Sequence, residues 1–183
     1  GNSKSSVVIC TSWDDPELVL PETLLEQVAI AAPIRSTYGV NILLTNLALN
    51  PQIKKIIFLR GGEFDETETG SLPRKVINII WKDGIDDSGK VKGTNFNLLP
   101  ELVDSDGRQR IAQITKDVEL VDWEGKDKES LQKLAGSLSS FKNETKPNRE
   151  KFSFPDFKVE EVITFPSEGS AHEIREKTPV LAW

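Results

Sequence analysis

The stretch "IIFLRGGEFDETETGSLPRKVINIIW" places four acids within six residues: Glu63, Asp65, Glu66 and Glu68. They follow an apolar run that ends in Arg60, Gly61 and Gly62, and a helical pattern comes next. This is the layout of a strand, a ligand-facing loop and a helix. In open α/β sheets, ligands bind beyond the carboxyl ends of the strands. Gly61 and Gly62 let the backbone approach a ligand closely. Four carboxylates repel a phosphate at short range, however, and the loop carries neither a Gly-Lys-Ser/Thr ending nor a GxGxxG fingerprint. The acids could take a hard cation such as Mg²⁺ or Ca²⁺ through oxygen ligands, although their spacing fits no calcium loop. The plain alternative is a solvated loop whose acids favour the N-terminus of the following helix.

Other polar residues fall at comparable places. Asp14 and Asp15 follow the run "SSVVICT" and could cap a turn or face a pocket; capping is the simpler role. Arg35 sits at a strand-to-helix junction and could hold an anion or pair with a carboxylate. If a ligand binds, residues 11–15, 33–37 and 60–70 should form its pocket. Arg35 and Arg60 would anchor it, and Glu63 and Asp65 would favour a cationic or hydrogen-bond-donating group such as a pterin amine. Cys10 lies inside an apolar run and reads as a buried, inert thiol. His172 is the only histidine, so no histidine-based metal cluster or catalytic triad is expected, and it reads as a surface residue.

The elements that must position these residues follow from periodicity. Residues 5–11 and 28–33 read as strands. Residues 12–27 read as a loop with a helical turn. A helix over "STYGVNILLTNLALNP" carries Val40, Leu43, Leu44, Leu47 and Ala48 at helical spacing, with Ser36 or Thr37 as cap. "KKIIFLR" is a third strand. "LPRKVINIIWKDG" is a helix with Pro73 in its first turn and Gly84 after its end. "DDSGKVKG" is a turn, and "DGRQRIAQITKDVELVDW" is a helix feeding a strand. An amphipathic helix follows, with Leu131, Leu134 and Leu138 on one side. Then come a polar connector over 142–151 and a strand around 159–165. Strands alternating with helices predict an α/β fold, a Rossmann-like three-layer sandwich with a mostly parallel sheet and right-handed crossovers. The expected division is a domain over 1–123 and an appendage of helix, connector and strand over 124–183.

With 183 residues the chain can bury a full core. Its formal net charge of -6 argues against nucleic acid as a partner. No run approaches a membrane span and no signal peptide is visible. One cysteine allows no internal disulfide and fits a reducing compartment, so the expected location is the cytoplasm. The chain opens on Gly1, has no methionine and stops where an apolar helical pattern begins. It therefore reads as a piece of a longer protein.

The stretch "VAIAAPIRSTYGVNILLTNLALNPQIKKIIFLRGGEFDETETGS" resembles the cytoplasmic domain of the corrinoid-carrying subunit of tetrahydromethanopterin S-methyltransferase, which has a Rossmann-like fold. The likeness rests on Ala32-Pro33, Gly39-Val40, Asn50-Pro51-Gln52-Ile53, the strand over 56–59 and Thr69-Gly70. "DGIDDSGKVKGTNFNLLPELV" and "VELVDW" extend it, so that it covers roughly residues 28–123. In the corrinoid-carrying members a histidine two positions before the Thr-Gly pair ligates cobalt; here that position is Thr67, whose hydroxyl lacks an imidazole nitrogen. The resemblance thus implies the family's scaffold without its cobalt ligand, with cobalamin binding kept as an alternative.

The end of the chain, "FPSEGSAHEIREKTPVLAW", looks like the lead-in to a thymidylate synthase-type catalytic domain. Together the two resemblances imply a non-catalytic accessory domain, for binding or assembly, in a folate-dependent pyrimidine methyltransferase. Its partner would be the catalytic domain of the same chain, and a homo-oligomer stays open. The other readings are a cobamide-binding methyl carrier and a purely structural module.

Overall fold

The computed structural model describes residue 2, residues 4–104 and residues 106–138. The chain divides into two compact units, Gly1–Ser153 and Phe154–Trp183, and every described residue belongs to the first. The expected strand around 159–165, the connector and His172 lie outside the described residues.

Strand β1 (Val7–Cys10) is an unbroken β-branched run ending in cysteine, buried at every position. Such runs suit a sheet covered on both faces. Two single-turn helices follow, α1 (Pro16–Val19) and α2 (Glu22–Leu25), and lead to β2 (Ile30–Ala32). Helix α3 (Thr37–Leu49) starts where Ser36 Oγ accepts from the Gly39 amide at 3.3 Å. It ends before Asn50-Pro51, since Pro51 cannot continue a helix and Asn50 has left the helical region. Strand β3 (Lys55–Leu59) is followed by the short helix α4 (Glu63–Glu66) and by α5 (Leu72–Asp83). Pro73 lies in the first turn of α5, and Gly84, at φ 74°, closes its end by donating to the Ile79 and Ile80 carbonyls. A 3₁₀ turn (Pro100–Leu102), α6 (Gly107–Asp117), β4 (Glu119–Trp123) and α7 (Lys128–Leu138) complete the described chain.

The four strands form one parallel sheet in the order β2-β1-β3-β4. The order reverses at β1: the chain leaves it in one direction to reach β2 and crosses back over it to reach β3. Right-handed crossovers then require the intervening helices on opposite faces, and the core follows that requirement. Val7, Ile9, Ile57 and Leu59 point to one face, where they pack with Leu20, Leu24 and Val28 and with Leu131, Leu134 and Leu138 of α7. On the other side α3 packs against α5 and α6. This is the expected Rossmann-like three-layer α/β sandwich. Helix α7, assigned from sequence to the appendage, contributes three buried leucines to one of its layers.

Polar ties hold the layers in register. Asn41, buried in α3, accepts from the Leu99 amide at 2.9 Å. Trp81 Nε1 of α5 donates to the Val118 carbonyl at 2.8 Å, just before β4. Trp123 Nε1 of β4 donates to Ser130 Oγ of α7 at 3.0 Å. Among the described residues no helix is long and apolar enough to cross a membrane.

Candidate functional site

Because the strand order reverses at β1, the place for a ligand in this fold is the crevice between the carboxyl ends of β1 and β3. The loops that border it are 11–15 and 60–70, and every candidate residue except Arg35 sits on them.

Asp65 dominates this crevice. Its neighbours Glu63, Glu66 and Glu68 are exposed, as a solvated loop requires. Asp65 is not: it is 2% exposed. The short helix α4 turns its side chain inward, across the crevice. There Oδ1 accepts the hydroxyl of Ser12 at 2.7 Å and Oδ2 accepts the Gly61 amide at 2.9 Å. Nε of Arg74, from the first turn of α5, lies 3.6 Å from Oδ2, an ion pair rather than a hydrogen bond. The expectation of four solvated acids therefore holds for three and fails for Asp65. The reason is that a donor on the neighbouring loop, a backbone amide and a cation all converge on it. Buried carboxylates persist only when paired in this way.

Ser12 is held in an unusual state to make this contact. It is buried and adopts φ 57°, the one positive φ of a non-glycine residue among those described. A side chain there costs about 1–2 kcal/mol relative to the right-handed region. Its carbonyl also accepts the Ile34 amide at 2.9 Å. One serine thus joins the loops after β1, β2 and β3. Gly61 is a glycine for a matching reason, since a Cβ there would stand 2.9 Å from Cβ of Asp65.

The other candidate residues are mostly engaged with the protein as well. Asp15 caps α1, its Oδ1 accepting the Glu17 amide at 3.0 Å. Asp14 pairs with Lys126 from the loop after β4. Arg35 Nε donates to the Trp13 carbonyl at 3.2 Å. Arg60 reaches Glu124 at 2.8 Å and Asp122 at 3.6 Å, and Arg74 also reaches Asp122, at 3.4 Å. A chain of alternating charge therefore runs from Asp65 through Arg74, Asp122 and Arg60 to Glu124. Gly62 is exposed, and a Cβ added to it would meet nothing.

Thr67 occupies the position that the resemblance gives to a cobalt ligand. Its hydroxyl donates to the Phe64 carbonyl at 2.7 Å and accepts the Gly70 amide at 3.0 Å. Trp13 Nε1 donates to the Gly70 carbonyl at 2.8 Å, and the Trp13 ring meets Phe64 edge-on, with centroids 4.7 Å apart. A Cβ on Gly70 would lie 1.9 Å from the Phe64 carbonyl oxygen, so only glycine fits there. Thr67 and Gly70 thus have a local structural use, and the turn they build presents no nitrogen ligand to a corrinoid. The residues do not fit one held through the protein at this loop. Among the described residues, no group of three or more His, Cys, Asp or Glu side chains could hold a metal ion.

Cys10 ends β1 fully buried, and burial pushes its thiol up to about 12. That leaves no thiolate for chemistry near neutral pH.

Sequence reasoning missed Arg74, Asp122 and Lys126, and placed Ser12 within the pocket segment 11–15 without giving it a role. Ser12 and Asp65 are 53 residues apart, and nothing local marks them as partners. It also missed a groove of about 370 Å³ beside the edge strand β2, between that strand and α3. Pro33 and Ile34 are its only residues from the expected pocket segments. The signal that could have found it is Ile42 four before Asn46, an apolar and an amide side chain at helical spacing on one face of α3.

Fold and crevice together define a Rossmann-like α/β domain whose switch-point loops are tied to each other by a buried carboxylate. No model of a known protein family matches the chain, and no curated protein is significantly similar to it.

Proposed function

We propose that this chain is a non-catalytic accessory domain that works by binding or assembly. The observation that carries the reading is the Asp65 junction at the switch point. The carboxylate best placed for a ligand or a proton is occupied by Ser12, Gly61 and Arg74 of the same chain, and Asp14, Arg35, Arg60 and Thr67 likewise contact the protein. A domain of this kind contributes a surface rather than a reaction. The narrower form places it in a thymidylate synthase-like, folate-dependent pyrimidine methyltransferase, with that enzyme's catalytic domain as partner. Support for the narrower form comes from the sequence resemblances.

Two measurements test the two levels separately. For the coarse reading, the protein is mixed with cobalamin, and titrated calorimetrically with a folate, a pterin and a pyrimidine nucleotide. The expected results are an unchanged cobalamin spectrum and flat heats. A shifted cobalamin spectrum would overturn it in favour of a methyl carrier, whereas saturable heats that vanish in Arg60→Ala would make its role binding rather than assembly. For the narrower form, a thymidylate synthase-type catalytic domain is supplied in trans and complex formation is followed by analytical ultracentrifugation. A saturable complex is expected, and two independently sedimenting species would remove that form.

A further inference from the structure

Helix α4 buries Asp65 and leaves Glu63, Phe64 and Glu66 exposed. Phe64 keeps 48% of its surface in water, and Leu72, at the start of α5, keeps 45%. The Phe64 ring meets Trp13 edge-on, and a Cβ on Gly70 would lie 2.9 Å from its Cδ1. Leu72 follows Gly70 by two residues. Trp13, Phe64 and Leu72 therefore border the same turn of chain.

The exposed ring is carried by a fixed backbone. The Phe64 carbonyl accepts from both the amide and the hydroxyl of Thr67, at 3.0 Å and 2.7 Å. Ser71 Oγ donates to the Thr67 carbonyl at 2.7 Å, and Trp13 Nε1 holds the Gly70 carbonyl. A partner would have little left to order here. Held aromatic side chains of this kind supply the centres of protein–protein contacts.

The charge around the ring is one-sided. Glu63, Glu66 and Glu68 are exposed on this loop, and none pairs with a cation among the described residues. Arg60 and Arg74 are engaged by Asp122, Glu124 and Asp65. Lys75 is the single exposed cation among residues 63–75.

We infer that this patch docks a basic amphipathic peptide segment of a partner protein. The partner's apolar side chains lie against Phe64 and Leu72, and its lysines or arginines meet Glu63, Glu66 and Glu68. The same charge repels nucleic acid and an anionic membrane surface. A second copy fits poorly, because a two-fold contact sets a patch against itself and would bring glutamates to glutamates. The inference rests on the accessory-domain reading and names the surface through which that domain works.

The test uses the full 183-residue chain labelled with ¹⁵N. The probe is a short amphipathic peptide of leucine and lysine, and the control is its counterpart with glutamate for lysine. The lysine peptide should saturably shift the amide signals of residues 63–72 and the Trp13 indole, and the control should not. Phe64→Ser should weaken binding about tenfold. If that variant does not fold, Leu72→Ser at the exposed start of α5 serves the same purpose. Glu66→Lys and Asp83→Lys change the net charge equally, but Asp83 is the last residue of α5. Glu66→Lys should weaken binding about tenfold and Asp83→Lys less than about twofold. Equal weakening by the two would reveal attraction to net charge alone and overturn the inference. Absence of saturable shifts at residues 63–72 would also overturn it. So would dimerisation of the free chain that Phe64→Ser abolishes, which would assign the patch to a second copy. These outcomes leave the accessory-domain reading standing; that reading falls instead to a shifted cobalamin spectrum.

Discussion

Between the carboxyl ends of β1 and β3, polar side chains meet polar side chains; beside β2, aliphatic side chains meet water. Both places are concave, and both border the same sheet. In the crevice Asp65, Asp14 and Arg60 each have a partner on another loop, so each ties one loop to the next. In the groove Ile30 and Ile42 keep 54% and 49% of their surface exposed, so apolar area is left uncovered. The lesson is that position in a fold family's usual site does not by itself mark a working site. What counts is which donors and acceptors remain after the protein has satisfied its own.

The sharpest way to break this comparison is to remove Asp65. Asp65→Ala leaves the Ser12 hydroxyl and the Gly61 amide without their charged acceptor while Arg74 keeps Asp122, and should cost about 3 kcal/mol or more in urea unfolding, at about 1.5–3 kcal/mol for each bond to a charged group. Ile42→Ala, at the groove mouth, should stay within about 0.5 kcal/mol. Ser12 separates hydrogen bonding from strain. Ser12→Ala loses a bond to a charged acceptor and should cost about 1.5–3 kcal/mol, whereas Ser12→Gly relaxes the positive φ and should cost about 1 kcal/mol less. Equal losses would show that the backbone at residue 12 is not strained.

Cys10 lies on the floor of the groove and gives a pH test. Its folded-state pKa is raised, from 9.0 to about 12. The thiol's contribution to stability is therefore intact below pH 9 and lost as pH climbs towards 12. The loss should approach about 1.4 kcal/mol per pH unit in that window. Cys10→Ala should remove this part of the alkaline slope. A disulfide exchange reagent at pH 8 should leave native Cys10 unmodified and label it on unfolding.

Within the crevice the smallest effect belongs to Arg60, whose side chain is 43% exposed. Arg60→Ala should cost less than about 1 kcal/mol, because exposed ion pairs are screened by water.

Much of the scaffold was legible because it depends on short-range pattern. Val7 to Cys10, the helix cap at Ser36, Pro73 and Gly84 each announce their role within a few residues. The leucines 131, 134 and 138 likewise declared a buried helix face, and Asp15 declared a cap. The crevice was legible as a location, since Arg60-Gly61-Gly62 marks a strand end, but not as chemistry. Whether an acid is solvated or buried depends on what stands opposite it, and Ser12 comes to stand opposite Asp65 only through the crossover of the sheet. The contact of Arg35 with the Trp13 carbonyl was illegible for the same reason, since no side-chain pattern records a backbone partner. The groove was illegible because it is the space beside a short edge strand, a property of the sheet's extent rather than of any motif.

The account turns on the Asp65 junction existing in solution, and hydrogen exchange at two adjacent glycines tests it most directly. The Gly61 amide donates to Asp65 Oδ2, whereas Gly62 is exposed and makes no such bond. In the native chain Gly61 should exchange at least a hundredfold more slowly than Gly62, and Asp65→Asn should erase most of that difference. Exchange at Gly61 as fast as at Gly62 in the native chain would contradict the account.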